Sequence, residues 1–442
     1  MSIAGDPITS SFDSAARAEI FKRLLRQPYT LSSPGNRIFK QREYCDRWCI
    51  PPELADLKID DPVLLLVALN IIFDTTYSFD APALGNTMNH CISRGYDLGM
   101  AYGMLRCWWS RISQLDLLSH FESLERKDCE RREQGVRERL IIDTYMPPRR
   151  VWDLYCNRVL PFWVLDGPDN SFDYSDRIMT VSHAWMSPDE RKAVTTPINS
   201  NKWPVPIPND IDLHDLRIEL LNLRDGEEIQ YVWLDVLCLR QVGGEPREES
   251  LRSKEWLIDV PTIGAIYWNC MTAVYYLNGL GRPFEENDLD DTRHWCNRAW
   301  TLQELGCAGI AFHDSEIFLG GITEQSPRFD LNRPQIYSDP YTRRLGERVV
   351  KLVKTDIRLN IIKAAAMMSR RQAEREPDKL AGLAYFVCGD TQPAFDTTQD
   401  VEDAWLSFVD CLTSTARGRL FFSFPVAGDG KYKWTPSWNQ LL

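Results

Sequence analysis

Apolar residues recur at intervals of three and four over the first third of the chain, which is the spacing of amphipathic helices. Asp60 and Asp61 stand directly before Pro62, a favourable helix start. No group of side chains in this part suggests a catalytic site. The sequence "MPPRR" (146–150) marks its end. We therefore predict an N-terminal helical region over about residues 1–150. The helical segments are predicted at 14–27, 60–77, 89–127 and 129–145.

Between about residues 151 and 330 the pattern changes to short apolar runs alternating with amphipathic segments. Strands alternating with helices indicate an α/β domain, built on a parallel sheet with right-handed crossovers. We predict a sheet of at least three parallel strands, in which 178–184 is central and adjacent to 231–236. The strands are predicted at 177–185, 231–239 and 272–279. The helices are predicted at 212–224 with Asp212 as N-cap, at 251–269 with a kink near Pro261, and from about Asn297 to Gly306, with Gly306 or Gly309 as cap.

The last part of the chain, residues 331–442, returns to helical periodicity. Helices are predicted over 343–375 and in the segments "PDKLAGLAYFV" and "VEDAWLSFVDCLTSTARGRLFFSF". The end, "GKYKWTPSWNQLL", bears tryptophans and predicts no clear element. The chain is thus divided into an N-terminal helical region, a central α/β domain and a C-terminal helical region.

Composition narrows the classes of function. Hydrophobic residues make up 44% of the 442 residues and charged residues 26%, as in an ordinary globular protein. The net charge of −12 disfavours DNA and anionic membranes as partners, because phosphate contacts need clustered Lys and Arg. The N-terminal sequence has no apolar signal region, and the longest apolar run, 62–73, is too short to span a bilayer. We therefore expect a cytoplasmic protein.

The cysteines and glycines exclude several kinds of site. The twelve cysteines form no C-x-x-C, and no Cys/His spacing resembles a zinc site. Most of them lie among apolar residues, which predicts reduced, buried thiols without disulfides or structural metal. The chain has no G-x-G-x-x-G and no Walker motif, so a Rossmann-type dinucleotide site or an ATPase site is not expected.

Candidate site residues stand where the predicted strands end. In parallel α/β sheets, ligands bind beyond the carboxyl ends of the strands. The helix predicted after the third strand begins near the same edge and carries Trp300 and Glu304, four residues apart on one face. The residues at the strand ends are Ser182, His183 and Trp185; Asp235 and Cys238; and Leu277, Asn278 and Gly279.

Each candidate has a structural alternative. Trp300 is either a core residue or an aromatic platform, and Glu304 is either a solvated helix charge or a pocket carboxylate. Asp235 either accepts hydrogen bonds from loop N–H groups or contacts a ligand. Cys238 lies in an apolar run and is interpreted as core rather than nucleophile. Arg298 either pairs with the acidic loop 285–291, the favoured interpretation, or meets a pyrophosphate.

Three sequence blocks occur in a recognisable order: "VSHAWMS" (181–187), "YVWLDVLCLRQ" (231–241) and "NRAWTLQEL" (297–305). In this order and spacing they resemble the fungal heterokaryon-incompatibility (HET) domain, over about residues 175–310. The family's blocks read S-Y-x-W, L-W-I-D-x-L-C-I-x-Q and R-x-W-x-x-Q-E. This chain differs at His183, where an aromatic is common, and at Met186, where Gly is usual.

The resemblance implies a role in fungal non-self recognition that ends in programmed cell death. It also implies kinship with the Toll/interleukin-1 receptor (TIR) fold, a flavodoxin-like parallel sheet. NAD-cleaving members of that fold carry an essential glutamate in a W-x-x-x-E arrangement on the helix after the third strand, here Trp300 and Glu304.

Two functions from different classes follow from the resemblance. The first is an NAD glycohydrolase that takes NAD or a related nucleotide as substrate, has no resident cofactor, and forms a homo-oligomer on activation by an unknown protein trigger. Its catalytic residue is Glu304, and its nucleotide-binding residues are Ser182, His183, Trp185, Asp235 and Trp300. The second is a non-catalytic death-signalling adaptor, which works by assembly of the HET domain with copies of itself or with a partner.

Overall fold

The structure is a computed structural model, and it describes most of the chain. The predicted helix at 14–27 and the proposed cap at Gly309 lie outside the described residues. The described ranges are 28–167, 177–223, 230–270, 272–307, 316–322, 328–330, 333–354 and 360–442.

The N-terminal region contains five α-helices and four short strands among its described residues. The helix predicted at 89–127 is interrupted between Ser93 and Leu98 and again between Arg106 and Leu117. The helix predicted at 129–145 ends at Gln134, and two short strands follow it. Asp61 caps the helix that Pro62 begins, since its carboxylate accepts from the Val63 N–H at 2.8 Å. The strands are β1 (Tyr29–Ser32), β2 (Glu43–Asp46), β3 (Val136–Arg137) and β4 (Leu140–Ile141), and the helices are α1 (Pro52–Ala55), α2 (Pro62–Phe73), α3 (Pro82–Ser93), α4 (Leu98–Arg106) and α5 (Leu117–Gln134).

A mixed sheet of seven strands forms the centre of the molecule. Its strands are β5 (Arg150–Asp153), β6 (Arg158–Pro161), β7 (Ile178–His183), β10 (Tyr231–Leu234), β11 (Thr272–Tyr276), β12 (Glu316–Leu319) and β13 (Arg328–Asp330); a separate hairpin is made by β8 (Arg191–Val194) and β9 (Val205–Pro208). Across the sheet they lie in the order β13-β12-β11-β7-β10-β5-β6, which differs from their order along the chain.

The central strand is β7, which pairs in parallel with β10 on one side and β11 on the other. This confirms the prediction that 178–184 is central, adjacent to 231–236 and parallel to it. Ser182 and His183 of β7 lie opposite Tyr275 and Tyr276 of β11. The carboxyl ends of the central strands therefore meet at one edge.

The expectation of a purely parallel sheet was incomplete, because β5, β6 and β13 join it antiparallel. The strands β5 and β6 are separated by only four residues, 154–157, with Asn157 in the left-handed region at φ 55°. A connection this short permits only antiparallel pairing. The parallel part is thus confined to β12, β11, β7 and β10.

The central helices differ from prediction at their ends. Helix α6 (Leu213–Asn222) is capped by Asp212, which accepts from the His214 N–H at 2.6 Å, as predicted. The predicted strand 231–239 stops at Leu234 and turns into the single-turn helix α7 (Asp235–Cys238). The helix predicted at 251–269 is two helices, α8 (Pro246–Asp259) and α9 (Ile263–Asn269), separated at Pro261, and the last is α10 (Thr301–Cys307).

The C-terminal region is helical and packs on the same hydrophobic core as the sheet. The predicted helix over 343–375 is represented by two described helices. The tail, for which no element was predicted, ends in a short helix with a capping box between Ser437 and Gln440. No helix in the described ranges is long and apolar enough to cross a membrane. The elements are α11 (Pro340–Lys354), α12 (Ile361–Met368), α13 (Glu376–Val387), β14 (Gln392–Pro393), α14 (Val401–Cys411), α15 (Ser414–Ser423) and α16 (Trp438–Leu441).

Candidate active site

A cluster of polar side chains lies at the carboxyl end of the central strand. Ser182 and His183 are the last two residues of β7, and Asp235 directly follows the neighbouring strand β10. Glu304 lies one turn into α10, the helix that follows β11 in the described part of the chain. Parallel pairing brings these segments to one edge, so four of the predicted site residues are neighbours in space.

A contact between His183 and Asp235, joined by an indole donor, forms one half of the cluster. His183 Nε2 lies 2.9 Å from Asp235 Oδ1, and Trp185 Nε1 donates to Asp235 Oδ2 at 3.1 Å. The Val236 N–H also donates to Asp235, at 2.7 Å. Burial disfavours the carboxylate, but His183 and these donors prevail and lower the pKa of Asp235. Burial likewise disfavours the imidazolium, but the Asp235 carboxylate raises the pKa of His183 above 6.5.

Asp235→Asn is expected to lower the pKa of His183, because burial then acts without the carboxylate that opposes it. In the wild type, the raised pKa adds stability below pH 6.5 that disappears as the pH rises through the folded pKa. The variant should lose this acid-side stabilisation. Titration of the His183 ring resonances by NMR measures the pKa, and an unchanged value in the variant would show that the 2.9 Å contact is not a charged pair.

In the other half of the cluster, a tryptophan bonds to a serine, and the serine bonds to the carboxyl group of Glu304. Trp295 Nε1 donates to Ser182 Oγ at 2.8 Å, which occupies a lone pair of the hydroxyl. The Ser182 hydroxyl hydrogen is thus free to donate to Glu304 Oε2, with which Ser182 makes a short hydrogen bond. Glu304 as a whole residue is partly buried.

The two carboxyl groups of the cluster differ in acidity. Burial raises the pKa of Glu304 from 4.5 to about 7, and the nearby charge of Asp235 acts in the same direction. The hydrogen bond from Ser182 and the charges of His183 and Arg371 act in the opposite direction. A carboxyl group that titrates near neutrality beside one that stays ionised is the arrangement of acid–base and charge-stabilising sites.

A buried arginine of the C-terminal region braces the helix of Glu304. Arg371 Nη1 donates to the Arg298 carbonyl at 2.6 Å and to Thr301 Oγ1 at 3.0 Å. The Thr301 hydroxyl in turn donates to the Trp295 carbonyl at 2.7 Å. Although burial lowers the pKa of Arg371 to about 10, the guanidinium remains charged at neutral pH. It therefore places a positive charge behind Glu304.

The chain around Arg371 also pairs with the segment before α10. The Ala299 N–H donates to the Gln372 carbonyl at 2.8 Å, and the Gln372 N–H donates to the Asn297 carbonyl at 2.7 Å. Sequence reasoning missed both Arg371 and Trp295. Trp295 lies only five residues before Trp300, so its place near the candidate site could have been predicted. No sequence pattern near Arg371 indicates that this residue belongs to the site.

Trp300 does not join the cluster. It immediately precedes α10, so the helix starts later than the predicted Asn297. Its ring lies 6.4 Å from the ring of Phe395 in the C-terminal region and packs against the core. This favours the core alternative over a nucleotide platform. Burial also raises the pKa of Cys238 to about 12, so this thiol is neutral, and the core interpretation applies to it as well.

Asn278 and Gly279, which follow β11, make contacts within the loop that comes after this strand and not with the cluster. The Asn278 side chain donates to the Glu285 carbonyl at 2.9 Å and accepts from its N–H at 3.2 Å. Gly279 has φ 108°, and a Cβ there would lie 2.7 Å from Met186 Sδ. Gly279 therefore makes room for Met186.

The cluster itself contains no grouping suited to metal. Across the described ranges, no three His, Cys, Asp or Glu side chains are placed to hold a metal ion. Comparison with protein-family models, with curated proteins and with solved structures gave no match for this chain.

Proposed function

We propose that this chain is a cell-death effector of fungal non-self recognition, acting as a TIR-like NAD glycohydrolase in which Glu304 stabilises the transition state. The observation that carries the proposal is the Glu304 carboxyl group, held by Ser182 at the carboxyl end of the central parallel strand. This is the kind of position at which ligands bind in α/β sheets.

The order of the strands supports the proposed kinship with TIR-like folds. Numbered along the chain, β7, β10, β11 and β12 are the first to fourth parallel strands, and they lie in the order 2-1-3-4. Flavodoxin-like sheets have this order, and their ligands bind where the first strand adjoins the third. In this chain that point is the boundary between β7 and β11, beside Ser182 and His183.

The proposed reaction suits a single carboxylate. Cleavage of the bond between nicotinamide and ribose releases a leaving group that is already cationic, so it needs no strong general acid. The transition state resembles an oxocarbenium ion, as in glycoside hydrolysis. A preorganised negative charge beside the ribose stabilises this ion. In our proposal Glu304 supplies the charge, and Ser182 and Arg371 favour its ionised form.

The other residues of the cluster have binding roles in this proposal. Trp185 presents an aromatic ring whose indole N–H is fixed by Asp235, so the ring orientation is preset. The contact between Asp235 and His183 lowers the pKa of Asp235 and raises that of His183, so Glu304 is the carboxyl group of this cluster whose pKa lies near neutrality. Trp300 is not included, because its ring packs toward Phe395.

The direct test is nicotinamide release from NAD by the purified protein at high concentration, with Glu304→Gln as reference. Release that depends on Glu304 supports the glycohydrolase. Absence of release from both proteins would instead favour the second candidate, a non-catalytic adaptor that signals death by self-assembly or partner assembly. We propose the cytoplasm as the site of either function.

Enzymatic activity is expected to require self-association. The resemblance to TIR-like NADases motivates this prediction, since loops from a neighbouring copy usually complete their sites. In this chain the corresponding loop follows α7 and contains Gly243, with φ 96°, and Gly244. Nicotinamide release per molecule should therefore fall on dilution, in parallel with loss of oligomer in light scattering. Constant specific activity of a monomer over the whole series would contradict the prediction.

A further inference from the structure

Trp295 is a buried tryptophan whose indole N–H is directed at the hydroxyl group of Ser182. The residue is 1% exposed, and its Nε1 donates to Ser182 Oγ at 2.8 Å. An indole N–H is a donor only, so the hydroxyl oxygen has to act as the acceptor in this bond. The hydroxyl hydrogen then points to another acceptor, and Ser182 makes its short hydrogen bond with Glu304 Oε2. The three residues thus form a relay of hydrogen bonds that ends on Glu304.

Contacts from two elements hold Trp295 in place. The Tyr275 ring meets the indole edge to face, with the ring centroids 5.3 Å apart and an angle of 81° between the planes. Tyr275 lies on β11 directly opposite Ser182 of β7, so one residue supports both ends of the bond between Trp295 and Ser182. The Trp295 carbonyl accepts from Thr301 Oγ1 at 2.7 Å, which ties the backbone to the helix that carries Glu304. The direction of the indole N–H is therefore preorganised.

Charged and titratable side chains from five other segments also act on Glu304 or respond to its charge. They lie on β7, α7, α9, the C-terminal region and the segment before α10, and are His183, Asp235, Tyr267, Arg371 and Arg298. The predicted pairing of Arg298 with the acidic loop 285–291 is not found among the described residues. Burial raises the pKa of Glu304, and the hydrogen bond from Ser182 is the strongest of the influences that oppose burial, ahead of the charges of His183 and Arg371. The relay therefore acts on the contact that matters most for the ionised form.

We propose that Trp295 is a positioning residue for Glu304, which acts through Ser182 to orient the carboxylate and to favour its ionised form. A hydroxyl group that accepts a hydrogen bond becomes a stronger donor, because successive bonds polarise one another. The bond that Ser182 donates is stronger to a carboxylate than to a neutral carboxyl group. The inference rests on the proposed function only for the statement that the ionised form of Glu304 is the active one.

Trp295→Phe is expected to raise the pKa of Glu304 by about half a unit, because phenylalanine keeps an aromatic ring but has no N–H to donate. The pKa is measured without substrate, from the free energy of unfolding against pH. Each protein is compared with the same protein carrying Glu304→Gln, so that the difference reports the proton bound by Glu304. This difference should level off near pH 7 for the wild type and at higher pH for the variant. The rise of kcat with pH should move in the same direction.

Ser182→Ala distinguishes the relay from a merely structural role of the tryptophan. Alanine removes the hydrogen bond to Glu304 itself, so the pKa of Glu304 should rise by about one unit or more. In that background Trp295→Phe should cause no further rise, because its effect passes through the hydroxyl group. The matched control is Trp108→Phe, in which another buried tryptophan loses an indole bond, here to the Val164 carbonyl at 3.0 Å. It should leave the pKa of Glu304 unchanged.

The wild-type protein allows a second measurement that does not depend on a stable tryptophan variant. The indole N–H resonance of Trp295 should shift with pH at the same midpoint as Glu304, and this shift should be lost in Ser182→Ala and in Glu304→Gln. An unchanged pKa in Trp295→Phe, a rise that persists in the Ser182→Ala background, or an indole resonance that does not follow Glu304 would overturn the inference. A raised pKa in Trp295→Phe, with no nicotinamide release by the wild type, would uphold the inference while rejecting the glycohydrolase.

Discussion

Replacing Glu304 by glutamine is expected to reduce kcat for nicotinamide release by about 10²–10³-fold, the usual cost of losing one preorganised electrostatic contact. Glutamine keeps the size of the side chain, and its amide oxygen still accepts from Ser182. Only the negative charge is lost. That charge favours the oxocarbenium-like transition state more than the ground state, so the loss should appear mainly in kcat rather than in KM. The measurement is steady-state release of nicotinamide from NAD.

The pH profile gives an independent check on the role of Glu304. With a pKa of about 7, the ionised and active form predominates above neutrality and disappears as the pH falls. The kcat of the wild type should therefore rise with a midpoint near pH 7. The matched control is Glu347→Gln, an exposed glutamate of α11, which should retain wild-type activity. Equal release by wild type and Glu304→Gln would remove this carboxylate from the mechanism.

The same substitution is expected to stabilise the folded protein at alkaline pH, by up to about 3 kcal/mol at pH 8. The pKa of Glu304 rises from 4.5 in the unfolded chain to about 7 in the fold. Between these values the unfolded chain releases a proton that the folded protein retains, so the wild type loses stability as the pH rises, and the deficit is complete above pH 7. Glutamine has no proton to release and avoids the deficit.

Chemical denaturation at pH 4 and pH 8 measures this effect. At pH 4 the carboxyl group is mostly protonated in both states, and wild type and variant should be similar in free energy of unfolding. At pH 8 the variant should be the more stable. Glu347→Gln should change stability by less than about 0.5 kcal/mol at either pH. If Glu304→Gln were equally neutral at both, Glu304 would be an ordinary surface charge, and its raised pKa would be wrong.

The sequence predicted those residues of the site that the parallel pairing of the strands brings together. Strands separated by helices pair in parallel, and parallel strands bring their carboxyl ends together wherever the helices lie in detail. Ser182, His183 and Asp235 could be grouped on this ground, and the structure joins His183 to Asp235 at 2.9 Å. Glu304 followed from the helix after the third strand.

The remainder depends on contacts that leave no local pattern. Arg371 reaches Thr301 across 70 residues, and no periodicity or spacing marks an arginine for such a contact. The antiparallel strands β5 and β6 have four residues each, too few for a reliable alternation of apolar and polar positions. Trp300 was predicted to lie on the same helix as Glu304, but that helix begins at Thr301, one residue after Trp300. The i,i+4 spacing alone therefore did not show whether the two side chains share a face.

The pairing of Arg371 and Gln372 with the residues before α10 also sets a sequence of events during protein synthesis. Arg371 is 67 residues further along the chain than Glu304. At about 5–20 residues per second, the ribosome needs about 3–13 seconds to make this stretch. Until then the nascent chain carries Glu304 without the arginine that braces its helix. A protein with the lethal activity proposed here would thus lack this support for Glu304 on its own ribosome until residues 371 and 372 had been made.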